Sequence, residues 1–336
     1  MIKEAINLLI QRKDLSEQEM IAAMRDIMEG KATDAQIASF LTALRLKGET
    51  VEEITGAAKV MREKVTFIKA PAMTVDTCGT GGDMAHTFNI STTTALVVAA
   101  CGVPVAKHGN RSVSSSCGSA DVLEALGIKI DLEPQKVEKC LETTGFGFMF
   151  APLFHPAMKY AIGPRKEMGI RTVFNILGPL TNPAGAQRQV MGVFDGELAE
   201  PLAHVLSNLG VKHAFVVHGE DGLDEITNTD KTKVSEVKGG TVLTYFITPE
   251  NLGLERARKE DLAGGNAGDN VSITMSILSG EKGPKRDIVL MNAAAALVAG
   301  DKAADLNEGV QMSSTAIDSG AALKKLEEVK DVSNKL

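Results

Sequence analysis

The sequence is sparing with cysteine, with four in 336 residues. Cys78, Cys101, Cys117 and Cys140 include no Cys-x-x-Cys pair and no metal-ligand spacing. That argues against a disulfide-stapled scaffold and a zinc module, and for free thiols in a reducing compartment. No apolar run reaches the ~18 residues that a membrane span needs. The N-terminal amphipathic run ends in Arg12 and Lys13 with no small-residue cleavage site after it, unlike a signal peptide. A cytoplasmic protein is expected. There is no long basic cluster, and the net charge is −7 with a pI of about 5.5. Nonspecific nucleic-acid binding is therefore not expected, and an anionic ligand would have to be held by local donors. No Ser-His-Asp order and no His-Glu-x-x-His motif occurs, which disfavours nucleophilic catalysis and zinc hydrolysis. Internal repeats and low-complexity tracts are also missing.

What is present is the composition of an ordinary globular protein, 44% hydrophobic and 24% charged. A chain of this length buries roughly three quarters of its unfolded surface and needs no staples. Residues 1–68 read as consecutive helices. Ser16 stands three before Glu19, Thr33 three before Gln36 and Thr50 three before Glu53. Each pair fits a capping box, in which hydroxyl and acid or amide satisfy orphan N–H groups reciprocally. The stripes Met20-Ala23-Met24-Ile27 and Ile37-Phe40-Leu41-Leu44 recur at helical spacing, as core or as a dimer interface. Beyond Pro71 the pattern changes to short apolar runs alternating with helical segments. Strands are expected at 74–77, 103–107, 128–131, 147–150, 189–194, 212–218, 234–238 and 241–246. Helices are expected at 91–101, 119–126, 134–144, 197–209, 259–279, 286–299 and 305–327. Such alternation implies an α/β fold with a mostly parallel central sheet flanked by helices. The stretch 156–182, with Arg165 and Arg171, reads as helical and as a return to the first domain. The expected division is a helical domain of residues 1–70 joined by segment 156–185, and an α/β domain of residues 71–155 and 186–336.

Two strand ends spill into loops of small residues. The first gives Gly79-Thr80-Gly81-Gly82-Asp83 and then Asn89-Ile90-Ser91-Thr92; the second gives Lys107-His108-Gly109-Asn110-Arg111 and the serine-rich run 112–116. Glycine lets backbone approach a phosphate closely, and two such loops at neighbouring strand ends form the expected ligand crevice of an open α/β sheet. The spacing is neither a P-loop nor the dinucleotide fingerprint. Taken alone, the glycine loop also fits a tight strand-to-helix turn, and Ser91 and Thr92 fit helix caps. Asp224 and Glu225, past the strand 212–218, suit Mg²⁺ or simply an acidic surface loop. Arg165 fits either a bidentate carboxylate grip or a solvated helix end.

In order along the chain, these motifs, together with Gly118-Ser119-Ala120-Asp121, Gly178-Pro179-Leu180-Thr181-Asn182-Pro183 and Asp224-Glu225, resemble the anthranilate phosphoribosyltransferase family over residues 3–327. The resemblance implies a small helical domain plus a larger α/β domain, usually a homodimer through the helical domain. It implies transfer of the phosphoribosyl group of phosphoribosyl pyrophosphate to anthranilate, in tryptophan biosynthesis, with Mg²⁺, two ions per site. By carry-over, Gly79, Gly82, Asp83, Thr87, Asn89, Ile90, Ser91, Thr92, Lys107 and Ser119 hold the donor. The segment 107–115, that is Lys107 with His108, Gly109, Asn110, Arg111, Ser112, Val113, Ser114 and Ser115, closes over it. Ser91, Asp224 and Glu225 hold the metal; Gly79, Asn110 and Arg165 touch anthranilate, with His108 and Pro179 along its path. No catalytic acid or base is assigned, with Lys107 and His108 as the candidates. Ser116 stands where several relatives carry a basic residue, which makes the phosphate cradle less positive. Two other readings compete: a pyrimidine nucleoside phosphorylase of the same architecture, whose lysine-rich phosphate motif is missing here, and a non-catalytic relative that binds nucleic acid.

Overall fold

The computed structural model describes residues 1–112 and 117–336. Its first four helices are Ile2–Leu9, Glu17–Met28, Asp34–Lys47 and Val51–Lys64. All three expected capping boxes form, on Ser16, Thr33 and Thr50. Both apolar stripes turn inward: Met20, Met24, Ile27, Phe40 and Leu44 are fully buried in one core.

The α/β part is built on seven strands, β1 (Val75–Gly79), β2 (Val105–Gly109), β3 (Phe146–Phe150), β4 (Arg188–Gly192), β5 (His213–Gly219), β6 (Thr232–Lys238) and β7 (Thr241–Ile247). Their spatial order is β3-β2-β1-β4-β5-β6-β7. β1 to β5 run parallel, and β6 and β7 add an antiparallel edge. The chain lays β2 and β3 on one side of β1, then crosses to lay β4 on the other. That reversal puts a crevice over the carboxyl ends of β1 and its neighbours. Successive strand residues face opposite cores. Val190, Phe215 and Val217 pack with the helices Ile90–Ala100 and Pro284–Ala299. Met191, Ala214 and Val216 pack with the helix Ala199–Asn208 and the N-terminal helices.

Segment 156–182 does return to the first helices. Its helices Lys159–Met168 and Phe174–Leu177 place Ala161, Phe174 and Leu177 in the same core as Phe40 and Ile54. Arg62 ties the parts further: Nε donates to the Leu180 carbonyl at 2.8 Å and Nη1 to the Leu209 carbonyl at 3.3 Å.

Three expected elements differ. Residues 128–131 are no strand: Ile128 and Ile130 are buried, but no strand among the described residues pairs with them, and the Ile128 N–H bonds back to the Leu123 carbonyl. The helix expected at 259–279 is a 3₁₀ turn, Lys259–Leu262, then a helix Ala267–Leu278 capped by Asn266. The helix expected at 305–327 is broken by Gly320, left-handed at φ 77°, into Leu306–Asp318 and Ala321–Lys335. Among the described residues, no helix is long and apolar enough to cross a membrane.

Candidate active site

A crevice of about 930 Å³ opens above the ends of β1, β2 and β4, and the segment 162–175 forms its opposite wall. β1 ends in Gly79, and the loop after it is fixed from two sides. The Thr80 N–H donates to the Gly192 carbonyl at 2.9 Å, and the Gly81 N–H donates to Asp224 Oδ2 at 2.8 Å. Asp224 reaches this position because the loop after β5 folds flat over two glycines. A Cβ at Gly192 would lie 1.5 Å from the Asp224 carbonyl oxygen, and one at Gly79 would lie 2.4 Å from Asp224 Oδ2. Farther along, Thr87 bridges to Ala263, and the Asn89 N–H donates to Asn270 Oδ1 at 2.7 Å.

Asp83, Asp224 and Glu225 all line the crevice. Loss of water, and then the neighbouring Asp83 charge, push the Asp224 carboxyl up to about 8. Glu225 is pushed well up by the same desolvation and by Asp224. Partly desolvated carboxylates that repel one another favour a cation between them. Among the described residues no set of three or more His, Cys, Asp and Glu side chains forms a ready metal cage. An ion here would complete its shell with water and phosphate oxygens, the habit of small hard divalent cations. Oxygen donors without thiol or imidazole fit that class.

Ser91 lies inside the helix Ile90–Ala100, not at its cap; Asn89 is the N-cap, with no side-chain cap bond. The capping reading of Ser91 and Thr92 is thereby corrected. Ser91 Oγ accepts from Lys107 Nζ at 3.1 Å. Lys107 is buried beneath the crevice floor, its ammonium also donating to the Thr77 carbonyl. Burial pushes its pKa down, opposed chiefly by Asp76. Asp76, equally buried, accepts from Asn182 Nδ2 at 2.7 Å and is raised by desolvation. Asn89 and Thr92 each leave a buried side-chain oxygen without a partner among the described residues. Asn89 and Ile90 both line the crevice, Ile90 with most of its side chain buried in the core; Thr92 does not line it.

On the β2 side, His108 Nε2 faces His155 Nε2 at 3.1 Å, one donating to the other. Burial pushes His108 down to about 3, with His155 adding to the shift, and burial pushes His155 down to about 4. The pair is thus neutral at physiological pH. Gly109, Asn110, Ser112 and Ser119 line the crevice. Arg111 lines it too, but its guanidinium is tied to Asp121 at 2.9 Å and Glu124 at 2.8 Å. The expectations for Val113, Ser114, Ser115 and Ser116 lie outside the described residues. On the opposite wall Arg165 sits over the Phe174 ring, 5.0 Å from its centroid, and burial lowers its pKa. Pro179 does not line the crevice; its carbonyl accepts from Gln189 Nε2 at 2.7 Å.

The sequence assigned no role to Asp76, His155, Asn182 or Asn270, although Asn182 stands in one of the motifs. Asp76 had a readable signal, an acid inside an apolar strand. The other three are placed by contacts across more than 40 residues of chain, for which no local pattern exists.

Two family models match the chain: the α/β domain of a glycosyl transferase family over residues 71–323, and the helical bundle domain of that family over residues 3–65. The anthranilate phosphoribosyltransferase of Acetivibrio thermocellus is 60% identical, over 99% of this chain and 97% of that protein. The crystal structure of the enzyme of that name from Thermus thermophilus superposes with a TM-score of 0.93 at 44% identity, over 98% of this chain and 99% of that one. The Saccharomyces cerevisiae enzyme in complex with phosphoribosyl pyrophosphate and magnesium superposes with a TM-score of 0.90 at 30% identity, over 100% of this chain and 98% of that one.

Proposed function

Because the chain belongs to the anthranilate phosphoribosyltransferase family, we propose that its crevice moves the phosphoribosyl group of phosphoribosyl pyrophosphate onto the amine of anthranilate. The products are N-(5'-phosphoribosyl)anthranilate and pyrophosphate, as a step of tryptophan biosynthesis. The observation that carries this reading is the glycine loop Gly79–Asp83 clasped against Asp224. It joins close backbone approach to a pair of carboxylates poised for a cation.

The bond from the anomeric carbon to pyrophosphate breaks as the amine attacks. Positive charge develops on the ribose and negative charge on the leaving group. Ser91, Asp224 and Glu225 would hold Mg²⁺, which would neutralise pyrophosphate charge; we propose two ions per site. The N–H groups of Gly82 and Asp83, and those at the start of the helix Ile90–Ala100, orient phosphate oxygens, each positioned donor contributing about 3 kcal/mol where charge develops. Lys107 acts from below, holding Ser91 and balancing the acids. Anthranilate's amine is already a nucleophile, so no strong general base is demanded. The neutral His108–His155 pair shapes the acceptor wall rather than carrying a proton. Arg165 grips the anthranilate carboxylate, its charge braced on Phe174, with Asn110 opposite. Holding amine and anomeric carbon in near-attack geometry lowers the barrier more than any single donor does. Closing the two walls keeps out water that would hydrolyse the donor.

We assign residues 1–70 with 156–185 to the helical unit and the remainder to the α/β unit. A cytoplasmic location and a homodimer through the helical unit are part of the same proposal. Since the apolar stripes are core, exposed residues such as Ile10 and Leu46 are among the apolar side chains the helical unit offers; light scattering on Leu46→Glu tests it.

The deciding experiment follows anthranilate fluorescence with the protein, Mg²⁺ and phosphoribosyl pyrophosphate. Loss requiring all components supports the proposal. No loss with folded protein removes the acceptor assignment and turns the test to nucleosides with phosphate.

A further inference from the structure

We infer that Arg171 is a positioning residue for the phosphoribosyl donor, acting through the peptide between Gly82 and Asp83. Arg171 lies in the short stretch between the helices Lys159–Met168 and Phe174–Leu177, on the wall opposite the glycine loop. Its Nη2 donates across the crevice to the Gly82 carbonyl. The guanidinium rests over the Phe194 ring, 4.3 Å from its centroid. Phe194 is itself held to the loop, its N–H donating to Thr80 Oγ1 at 3.1 Å. Arg171 has no carboxylate partner among the described residues. Its charge is therefore directed at a ring face and a backbone carbonyl, where the planar, directional donors of arginine matter and a lysine would not substitute.

The consequence follows from the rigidity of the peptide. In a trans peptide the carbonyl and the following N–H point in opposite directions. Fixing the Gly82 carbonyl on Arg171 turns the Asp83 N–H the other way, and no acceptor among the described residues takes it. The Thr80–Gly81 amide, one peptide further back, is fixed separately, by Gly81 N–H on Asp224 Oδ2 at 2.8 Å. The loop is thus pinned on both sides of Gly82, whose φ is 79° and where a Cβ would lie 2.7 Å from Arg171 Nη2. Only glycine gives the guanidinium this access. The arrangement leaves the Gly82 and Asp83 N–H groups without an acceptor among the described residues, available to phosphate oxygens, and links the orientation of their peptides to the helical wall.

The inference rests on the donor-binding reading above. The test compares wild type, Arg171→Ala and Arg171→Lys in steady-state kinetics, with calorimetric binding of Mg²⁺-pyrophosphate. Arg171→Ala is expected to raise the donor KM by about ten- to a hundredfold, the worth of a hydrogen bond to a charged group. The anthranilate KM should stay within about twofold, pyrophosphate affinity should fall in step with the donor KM, and lysine should restore little. A donor KM unchanged in folded Arg171→Ala, or both KM values rising together, overturns it. Should Arg171→Ala not fold, Phe194→Leu loosens the same contact and must raise the donor KM selectively; an unchanged value overturns the inference. A wild-type chain that neither turns over nor binds pyrophosphate removes the underlying reading as well, whereas equal binding by wild type and Arg171→Ala removes only this one.

Discussion

At the scale of single residues the site handles charge with its carboxylates and keeps its histidine pair neutral. Asp224 and Glu225 are carboxylates held close together at a cost that a cation relieves. Asp224→Asn with Glu225→Gln is expected to cut turnover by about a hundredfold or more, the scale of losing an electrostatic stabiliser, and to raise the Mg²⁺ requirement; a Mg²⁺ titration of initial rates checks it. Arg165→Ala is expected to raise the anthranilate KM with little change in the donor KM, read from a two-substrate kinetic matrix. His155 gives a pH prediction. Its folded pKa, about 4, lies below its unfolded value near 6.5. Between those values the unfolded chain binds the extra proton, so stability is fully present above pH ~6.5 and falls as pH drops toward 4. His155→Gln, which cannot titrate, should reduce the fall in unfolding free energy across that window by on the order of 1–3 kcal/mol, leaving the part that the likewise depressed His108 contributes. An unchanged slope would remove the assignment.

Elements carry a different lesson. Thr33 and Gln36 close one capping box, with the Gln36 N–H on Thr33 Oγ1 at 3.3 Å and the Thr33 N–H on Gln36 Oε1 at 3.0 Å. Thr33→Ala should cost about 1 kcal/mol in denaturant unfolding and leave kinetics untouched. Caps of this kind are written locally, so the first four helices were legible in the sequence, as were seven of the eight expected strands. Residues 128–131 misled because alternation of Ile128 and Ile130 reports burial of every second residue, and it cannot report whether a neighbouring strand exists. The two helices read as continuous were each broken at glycine: Gly264-Gly265, where the chain is bonded to the loop residue His86, and Gly320. Those breaks were visible as letters but outweighed by flanking periodicity. The strand-end loops announced a phosphate crevice by composition. Which face Lys107 or Arg111 would turn to it was not readable, because Asp76 and Glu124 decide that through the tertiary fold.

For the whole molecule, the wall carrying Arg165 and Arg171 must hold its place against the sheet. Arg62 supplies part of that fixing by satisfying the Leu180 and Leu209 carbonyls. Arg62→Ala leaves those carbonyls without that donor and should destabilise by about 1–3 kcal/mol. It should also raise both KM values together, because it loosens the wall as a body. Guanidinium unfolding and the kinetic matrix read the two effects; a stable variant with unaltered kinetics would show that Arg62 is not the tie.

The polypeptide enters the helical unit twice, at residues 2–64 and again at 159–177. During synthesis the first visit precedes the second by the whole first half of the sheet. At about 5–20 residues per second the ribosome takes roughly 5–20 s to deliver Ala161, Phe174 and Leu177 to the groove awaiting them. For that interval the nascent bundle has an open, greasy flank. Chaperone capture during translation, or a programmed slowing of the ribosome, would act there.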